Sequence, residues 1–552
     1  MNNKNIIITL LFVLIIGASL RIIGLKWGLP TNKYFHSASF HPDESEVLKA
    51  YQGINPRKLD FRLRTLTVQT KGTFHPYLMA LWIKTASVFK LTKIYSSFDY
   101  YKANPKELVN LYIVGRSMSV VFGILTLILL FFFGKIVYGD YRIGLLSSFI
   151  LAITPVHIIN SHYISTDITL TFLTTVILIL SFHIAKNGGI KTYISTGILL
   201  GIAGATKYSI APLVIIPLLA HILSGKKITD RKLIYYFLFI PAGFFIGNPY
   251  SLIEPGSFIS SLKSSLEINT TNPVTQNTLD CFGPQNNFLF YFFTATKYGF
   301  GIPLSLLFLS SLIYAFIKRE KTDIIFAGWV IIFWSFISLM SPWQLVRWQL
   351  PYVPVLCLLA ARFIVAVSAG GNKYIRLSLL SAACLIFFYT ALYSISCVKI
   401  MAEKDVRDEA SEWIESNIPE GKRIAVPNVY FWNPSIVMME HWYKNNELFL
   451  KEVKQYKIFQ VWYDLELLKK ANPDYIFLAD FEFYPLLNLK NKYTHPEMTA
   501  LLNEITKSGK YRLVKVFERP PKIFGIKTMC GFPPHEWRYI NPEIRAYQKA
   551  GD

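Results

Sequence analysis

Long apolar runs, separated by short polar linkers, fill the first four hundred positions of the chain. Their length, roughly 15–20 residues, is what a helix needs to cross a bilayer core. The pattern predicts about eleven spans, over 6–23, 114–133, 143–159, 168–185, 193–205, 210–223, 233–246, 298–317, 324–339, 350–367 and 375–397. Residues 75–94 are also apolar but are broken by Lys84, Lys90 and Lys93. They read as an interfacial helix whose lysines snorkel rather than as a span. Beyond about Met401 the pattern becomes that of a soluble domain. Helical spacing over 409–416 and 497–507 and strand-like runs over 423–426, 475–478 and 511–517 predict a small α/β unit, with no catalytic constellation in it. The expected division is a membrane domain over 1–399, with a first outer loop over 26–113, and a soluble α/β domain over 400–552.

The placement of charge orients this array. With the N-terminus cytoplasmic, the inner linkers hold Lys135 and Arg142, Lys186 and Lys191, Lys226 to Lys232, Lys318 to Lys321, and Lys373 with Arg376. All are basic, as cytoplasmic loops are. Counting 75–94 as a span, or fusing 193–223 into one helix, would turn these linkers outward. The reading is therefore a multi-pass protein of the plasma (inner) membrane with its C-terminal domain extracytoplasmic. Composition agrees: 52% hydrophobic and 17% charged residues exclude an ordinary soluble chain. The net charge of +22 lies largely in the linkers and does not call for nucleic acid. Arg21 interrupts the end of the first run and no small-x-small cleavage site follows, so that run is read as a retained helix. Five cysteines show no paired metal spacing. Cys281 and Cys530 both fall outside and allow a disulfide. Asn269-Thr270-Thr271 fits a glycosylation sequon.

The outer side carries few ionisable groups near the membrane, and topology explains none of them. Asp43 and Glu44 follow His41 in Phe40-His41-Pro42-Asp43-Glu44. They suit either an acid–base centre or the first turn of a helix, and His41 either orients them or is a plain loop residue. Asp167 follows Ser165-Thr166 and is either a cap or a second acid. Lys207, between two half-length apolar runs, either neutralises an anion or reaches headgroups. Arg347, in Trp343-Gln344-Leu345-Val346-Arg347-Trp348, offers a fork of donors to a phosphate or belongs to an aromatic belt. His75, in Phe74-His75-Pro76-Tyr77, is either a phosphate contact or an anchor. Carboxylates and cations sharing one side suit transfer from an anionic lipid donor to a hydroxyl.

With these residues the chain resembles the GT-C superfamily of integral-membrane glycosyltransferases, in its protein O-mannosyltransferase and aminoarabinose-transferase branch. Phe40-His41-Pro42-Asp43-Glu44 is similar to the first-loop acidic motif. Phe74-His75-Pro76-Tyr77 is similar to the Lys/His-Pro-Pro element, with Tyr77 as a departure. Gly201-Ile202-Ala203-Gly204-Ala205-Thr206-Lys207 is similar to the Gly-Leu-Ala-x-x-Thr-Lys stretch. Arg347-Trp348-Gln349-Leu350-Pro351 is similar to Arg-Tyr-Leu-Leu-Pro, with Trp348 and Gln349 departing. The resemblance implies a GT-C-like helical fold and inverting transfer of a hexosyl or pentosyl group. The partners would be a polyprenyl-phosphate-linked sugar and a lipid, glycan or protein acceptor outside the cytosol. Asp43, Glu44 and Asp167 would form the catalytic set, with Asp43 the base. His41, His75, Lys207 and Arg347 would form the substrate and phosphate-binding set. Glu44 and Asp167 would orient the acceptor or hold a divalent cation; no cofactor is otherwise implied. The rival reading is a transporter or flippase of lipid-linked sugars, which would place charges near the midplane and show internal repeats. Neither feature is found in the sequence.

Overall fold

In a computed structural model of the chain, the described residues are 2–551 apart from 51–53, 56–57, 59, 64–71, 96–97, 272–285, 341–343, 371, 439–448, 485–495 and 530–532. Arg57, Arg64, Trp343 and the cysteine pair Cys281–Cys530 lie outside the described residues, as do the side chains of the sequon at Asn269.

The membrane half is a bundle of helices. Its principal members are α1 (Asn3–Ile22), α2 (Pro42–Ala50), α3 (Phe74–Val88), α4 (Pro105–Tyr138), α5 (Tyr141–Ala152), α6 (Pro155–Ser161), α7 (Thr166–Ala185) and α8 (Ile190–Thr206). They continue with α9 (Ile215–Leu223), α10 (Arg231–Gly247), α11 (Ile302–Lys318), α12 (Lys321–Met340), α13 (Val353–Ala369) and α14 (Lys373–Ala402). The predicted spans fall largely on helix, with 143–159 interrupted at Ile153-Thr154 and 298–317 at Gly301. By length and apolarity alone, six helices suffice to cross a membrane among the described residues, or seven when the bent pair α5 and α6 counts as one. The outward faces are apolar, with Ile7, Leu11, Phe12 and Ile15 on α1 and Leu377, Leu385 and Phe388 on α14 exposed. Lipid tails are the natural solvent for such faces. The chain is a polytopic helical membrane protein.

Two devices hold the bundle. Pro155 has no N–H to continue α5, which stops at Ala152 and turns by 61° into α6. The carbonyls this frees are met by Arg21 of α1, which donates to Ala152 O (3.1 Å) and Leu151 O (3.2 Å) and meets His157 Nδ1 at 2.8 Å. The charge that interrupts the first apolar run is thus a buried clamp. The second device is small-residue packing of α8 on α10. A Cβ on Gly201 would lie 2.1 Å from Ile240 O, and one on Gly243 2.0 Å from Ile198 O. Only glycine permits that approach of two backbones.

Beyond α14 and helix α15 (Val406–Asn417), the C-terminal part forms a mixed six-stranded sheet in the order β2-β3-β1-β4-β8-β5. Its strands are β1 (Arg423–Val426), β2 (Phe449–Val453), β3 (Tyr456–Gln460), β4 (Tyr475–Ala479), β5 (Tyr511–Phe517) and β8 (Ile544–Lys549). The remaining strands, β6 (Lys522–Ile523) and β7 (Ile526–Lys527), form a separate ribbon. β1 runs parallel to β3 and β4, while β8 is antiparallel to both β4 and β5. Val406, Ala410 and Ile414 of α15 pack on one face; Leu468, Leu501 and Ile505 pack on the other. The sheet unit is bound to the first outer loop: Trp27 Nε1 donates to Asp405 (3.0 Å), and the Arg407 guanidinium lies 4.2 Å from the centre of the Phe40 ring.

Candidate active site

Pro42 opens α2 at the position where a proline costs no hydrogen bond, so Asp43 and Glu44 fall in its first turn. Consecutive helical residues diverge by about 100°, and the two carboxylates part company. Glu44 is fully buried and forms a two-pronged ion pair with Arg116 of α4 (Nε 2.9 Å, Nη2 2.6 Å). It also accepts the backbone N–H of Ile164 (2.8 Å) and the hydroxyl of Ser39. Burial opposes its ionisation, but the charge and hydrogen bonds of Arg116 outweigh burial and hold the carboxyl below the usual range. Asp43 is one-third exposed and turns to Arg347, whose Nη2 lies 3.0 Å from Oδ2. His41 is packed between Tyr163 and Tyr539 at ring-centre distances of 4.3 and 5.3 Å. Its Nε2 lies 3.5 Å from Arg347 Nη1. Burial pushes its pKa down to about 4, so the ring is neutral at pH 7.

On the opposite wall, Ser165 caps α7 by accepting the N–H of Asp167 (3.1 Å). The carboxylate of Asp167 is thereby released from capping and pairs with Lys207 Nζ at 2.7 Å. Lys207 is available because α8 ends at Thr206 and the backbone turns extended (φ −159°, ψ 120°) before the 3-10 turn Tyr208–Val214. Its ammonium also stands 5.2 Å from the ring centre of Trp348. Gly72 presses against this break, where a Cβ would lie 2.6 Å from the carbonyls of Ala205 and Thr206. That approach delivers α3 and His75, which is fully buried with Nδ1 3.1 Å from Thr169 Oγ1.

Arg347 joins the two walls. It sits in the 3-10 turn Val346–Tyr352 ahead of α13, with its side chain 13% exposed. Besides Asp43, its Nε lies 3.7 Å from Asp167 and 3.6 Å from Glu536. The structure thus brings Asp43, His41, Asp167, Lys207 and Arg347 into one cluster, with His75 outside it, bonded to Thr169 two residues beyond Asp167. It does not bring Glu44 into that group. Glu44, expected to act on the acceptor or a metal, has its carboxylate committed to Arg116, Ile164 and Ser39.

Sequence reasoning found no constellation in the C-terminal domain, and here the structure differs. The turn His535–Arg538 enters the cluster, and Glu536 accepts the backbone N–H of Arg347 at 2.7 Å. Nothing in the local sequence marks Glu536 apart from other acids of a soluble domain. Arg116 did leave a signal, a charge inside an apolar span. A divalent ion fits poorly. Among the described residues no three His, Cys, Asp or Glu side chains gather as a metal site, and both expected acidic ligands are occupied by cations or N–H donors. A cavity of about 310 Å³, to whose lining the cluster residues do not contribute, is lined by Arg62, Tyr77, Asn248, Tyr250, Glu254 and Phe258, with Thr73 and several serines. Asn248 donates to the hydroxyl of Tyr208, the neighbour of Lys207, at 3.4 Å.

Residues 65–251 match the family model described as Dolichyl-phosphate-mannose-protein mannosyltransferase. The match takes in His75, Asp167 and Lys207. The resemblance to GT-C membrane glycosyltransferases read from the motifs therefore has a counterpart in a GT-C family match over about a third of the chain. No curated protein matches in sequence. Among solved structures, ArnT from Cupriavidus metallidurans bound to undecaprenyl phosphate aligns with 99% of this chain and 98% of its own, at 11% identity and a TM-score of 0.49. The Archaeoglobus fulgidus oligosaccharyltransferase complex with Zn and sulfate aligns with 93% of this chain and 72% of its own, at 13% identity and a TM-score of 0.47. The S. cerevisiae protein O-mannosyltransferase Pmt1-Pmt2 complex bound to the sugar donor aligns with 51% and 39%, at 19% identity and a TM-score of 0.31. Likenesses at these scores say nothing of substrate.

Proposed function

We propose that the protein is an inverting glycosyltransferase that moves a sugar from a polyprenyl-phosphate donor to an acceptor hydroxyl on the extracytoplasmic face of the plasma membrane. One observation carries the reading. Four segments far apart in sequence deliver Asp43, Asp167, Lys207 and Arg347 to a single cluster of ion pairs. The acceptor hydroxyl gives its proton to Asp43 as its oxygen attacks the anomeric carbon. The bond from that carbon to the phosphate oxygen breaks, and its electron pair stays on the departing lipid phosphate. Arg347 and Lys207 stabilise the charge gathering there, with the arginine fork suited to two phosphate oxygens. A single displacement from the face opposite the leaving group inverts the anomeric centre. Asp167 holds Lys207 in place, His75 supports that wall through Thr169, and His41 braces Arg347. The cavity of about 310 Å³ has the aromatic, amide and hydroxyl lining that suits a sugar.

The test replaces Asp43 by Asn in the full-length protein in proteoliposomes. Release of polyprenyl phosphate from polyprenyl-phosphate mannose is followed in the presence of a cell-envelope extract. Transfer falls at least about a hundredfold while donor binding persists. Undiminished transfer would reject Asp43 as the base. Movement of the donor across the bilayer without sugar release would favour a flippase. Comparing the glycans of cells with and without the gene identifies the sugar and acceptor.

A further inference from the structure

Glu536 belongs to the soluble domain by sequence and to the ion cluster by position, and its place is fixed from three directions. Trp537 Nε1 donates to the hydroxyl of Tyr393 on membrane helix α14 (3.1 Å). Arg538 pairs with Asp480 (3.4 Å) and lies 4.2 Å from the ring centre of Phe481. The carbonyl of Tyr539 accepts Arg407 Nη2 (2.8 Å), the same arginine that covers Phe40 beside the first-loop acid. Such anchoring leaves the Glu536 carboxylate little freedom. It is 5% exposed and meets Arg347 at its backbone N–H and, at 3.6 Å, at its guanidinium Nε.

The charges around it do not favour a third carboxylate. Arg347 and Lys207 supply two positive charges, and Asp43 and Asp167 already supply two negative ones. A donor phosphate arriving at Arg347 would add to an anionic excess for as long as Glu536 is ionised.

We propose that Glu536 is a positioning residue of the phosphate site. Its carboxylate stands in for the donor phosphate on Arg347 when the site is empty, and the phosphate binds once Glu536 gives up that hold by taking a proton. The inference rests on the lipid-phosphate reading above. Burial supports it by pushing the Glu536 carboxyl up to about 7, against the pull of Arg347. The other groups facing it are Arg347 and Asp167 from the membrane side, Tyr163 from the loop before α7, and His535, Arg538 and Tyr539 on its own segment. Through Arg347 it also senses His41 and Asp43, and through Asp167 it senses Lys207. Both histidines stay neutral near pH 7, since burial holds His41 at about 4 and His535 at about 3.

The experiment measures binding of undecaprenyl phosphate to the full-length protein in nanodiscs from pH 5.5 to 8.5, for wild type and Glu536→Gln. If only the protonated form binds well, wild-type affinity falls about tenfold between pH 6 and pH 8. Glu536→Gln then binds about tenfold tighter than wild type at pH 8 and equally at pH 5.5. The phosphate's own second ionisation, near pH 6, is common to both proteins and acts in the opposite direction. A wild-type affinity that rises with pH would therefore overturn the proposal even if Glu536→Gln fails to fold. Parallel pH curves for the two proteins would overturn it as well. Absence of binding at every pH in both proteins would instead remove the lipid-phosphate reading, and the proposal with it, a result distinguishable from the other two.

Discussion

Glu44 and Asp43 are neighbours of identical chemistry, and the structure separates their roles sharply enough to measure. Replacing Glu44 by Ala strands the Arg116 guanidinium at a site with no solvent access on either partner. It also removes the acceptor for the Ile164 N–H, while the Ser39 hydroxyl falls back on the His41 carbonyl at 3.2 Å. Arg116 keeps only the carbonyls of Leu25 and Trp27, each at 2.7 Å. Removing one member of a buried ion pair costs about 3–5 kcal/mol, because the remaining charge has been taken from water without compensation. A stranded N–H adds about 1–3 kcal/mol when nothing refills the space. The expected loss is therefore at least about 3 kcal/mol, measured by equilibrium unfolding in mixed detergent micelles. The double variant Glu44→Gln with Arg116→Met, which leaves no lone charge, recovers most of it. A loss below about 1 kcal/mol for Glu44→Ala would refute the reasoning, since such a value belongs to a surface pair. A stable Glu44→Ala protein that had lost transfer would instead restore Glu44 to the chemistry.

Two further outcomes follow from the cluster. Arg347→Lys keeps the charge and loses the fork; with about 1.5–3 kcal/mol for a charged hydrogen bond, donor affinity falls roughly 10- to 100-fold, and an unchanged dissociation constant would count against a phosphate at Arg347. Folding stability also carries the titration of Glu536, whose pKa is raised from 4.5 in the unfolded chain to about 7. A raised pKa means that the stability it contributes is fully present below about 4.5 and is lost as pH rises through about 7. The loss amounts to about 3 kcal/mol at 1.36 kcal/mol per pH unit. Unfolding measured at pH 5 and pH 8 shows this loss in wild type and its absence in Glu536→Gln, and equal slopes would contradict it.

The membrane helices and the charged groups at their ends were legible because the bilayer makes charge conspicuous. Lys207 stood out between two apolar runs, and the structure finds it at a helix break beside Asp167. Asp167 had two readings that sequence alone left open; the cap proves to be Ser165, leaving the carboxylate for Lys207. The separate fates of Asp43 and Glu44 were beyond reach for a different reason. One step along a helix separates a solvent-facing group from a buried one, and the partner that decides, Arg116, lies far along the chain. Strand β8 was missed because Ile544-Arg545-Ala546-Tyr547-Gln548-Lys549 is too polar to read as the inner strand it becomes, between β4 and β5. Glu536 was invisible for want of any local signal. Its meaning comes from Trp537, Arg538 and Tyr539 being tied to three different parts of the molecule.

The seat of Glu536 against Arg347 bears on how the protein is made. Residue 43 is synthesised long before residue 536, so the apolar helices between them exist before that wall of the pocket does. A polypeptide halted short of residue 535 would be a helical bundle in which Arg347 lacks the carboxylate that meets its backbone N–H and guanidinium. One side chain thus ties the last-made domain of the sequence to the helices made before it.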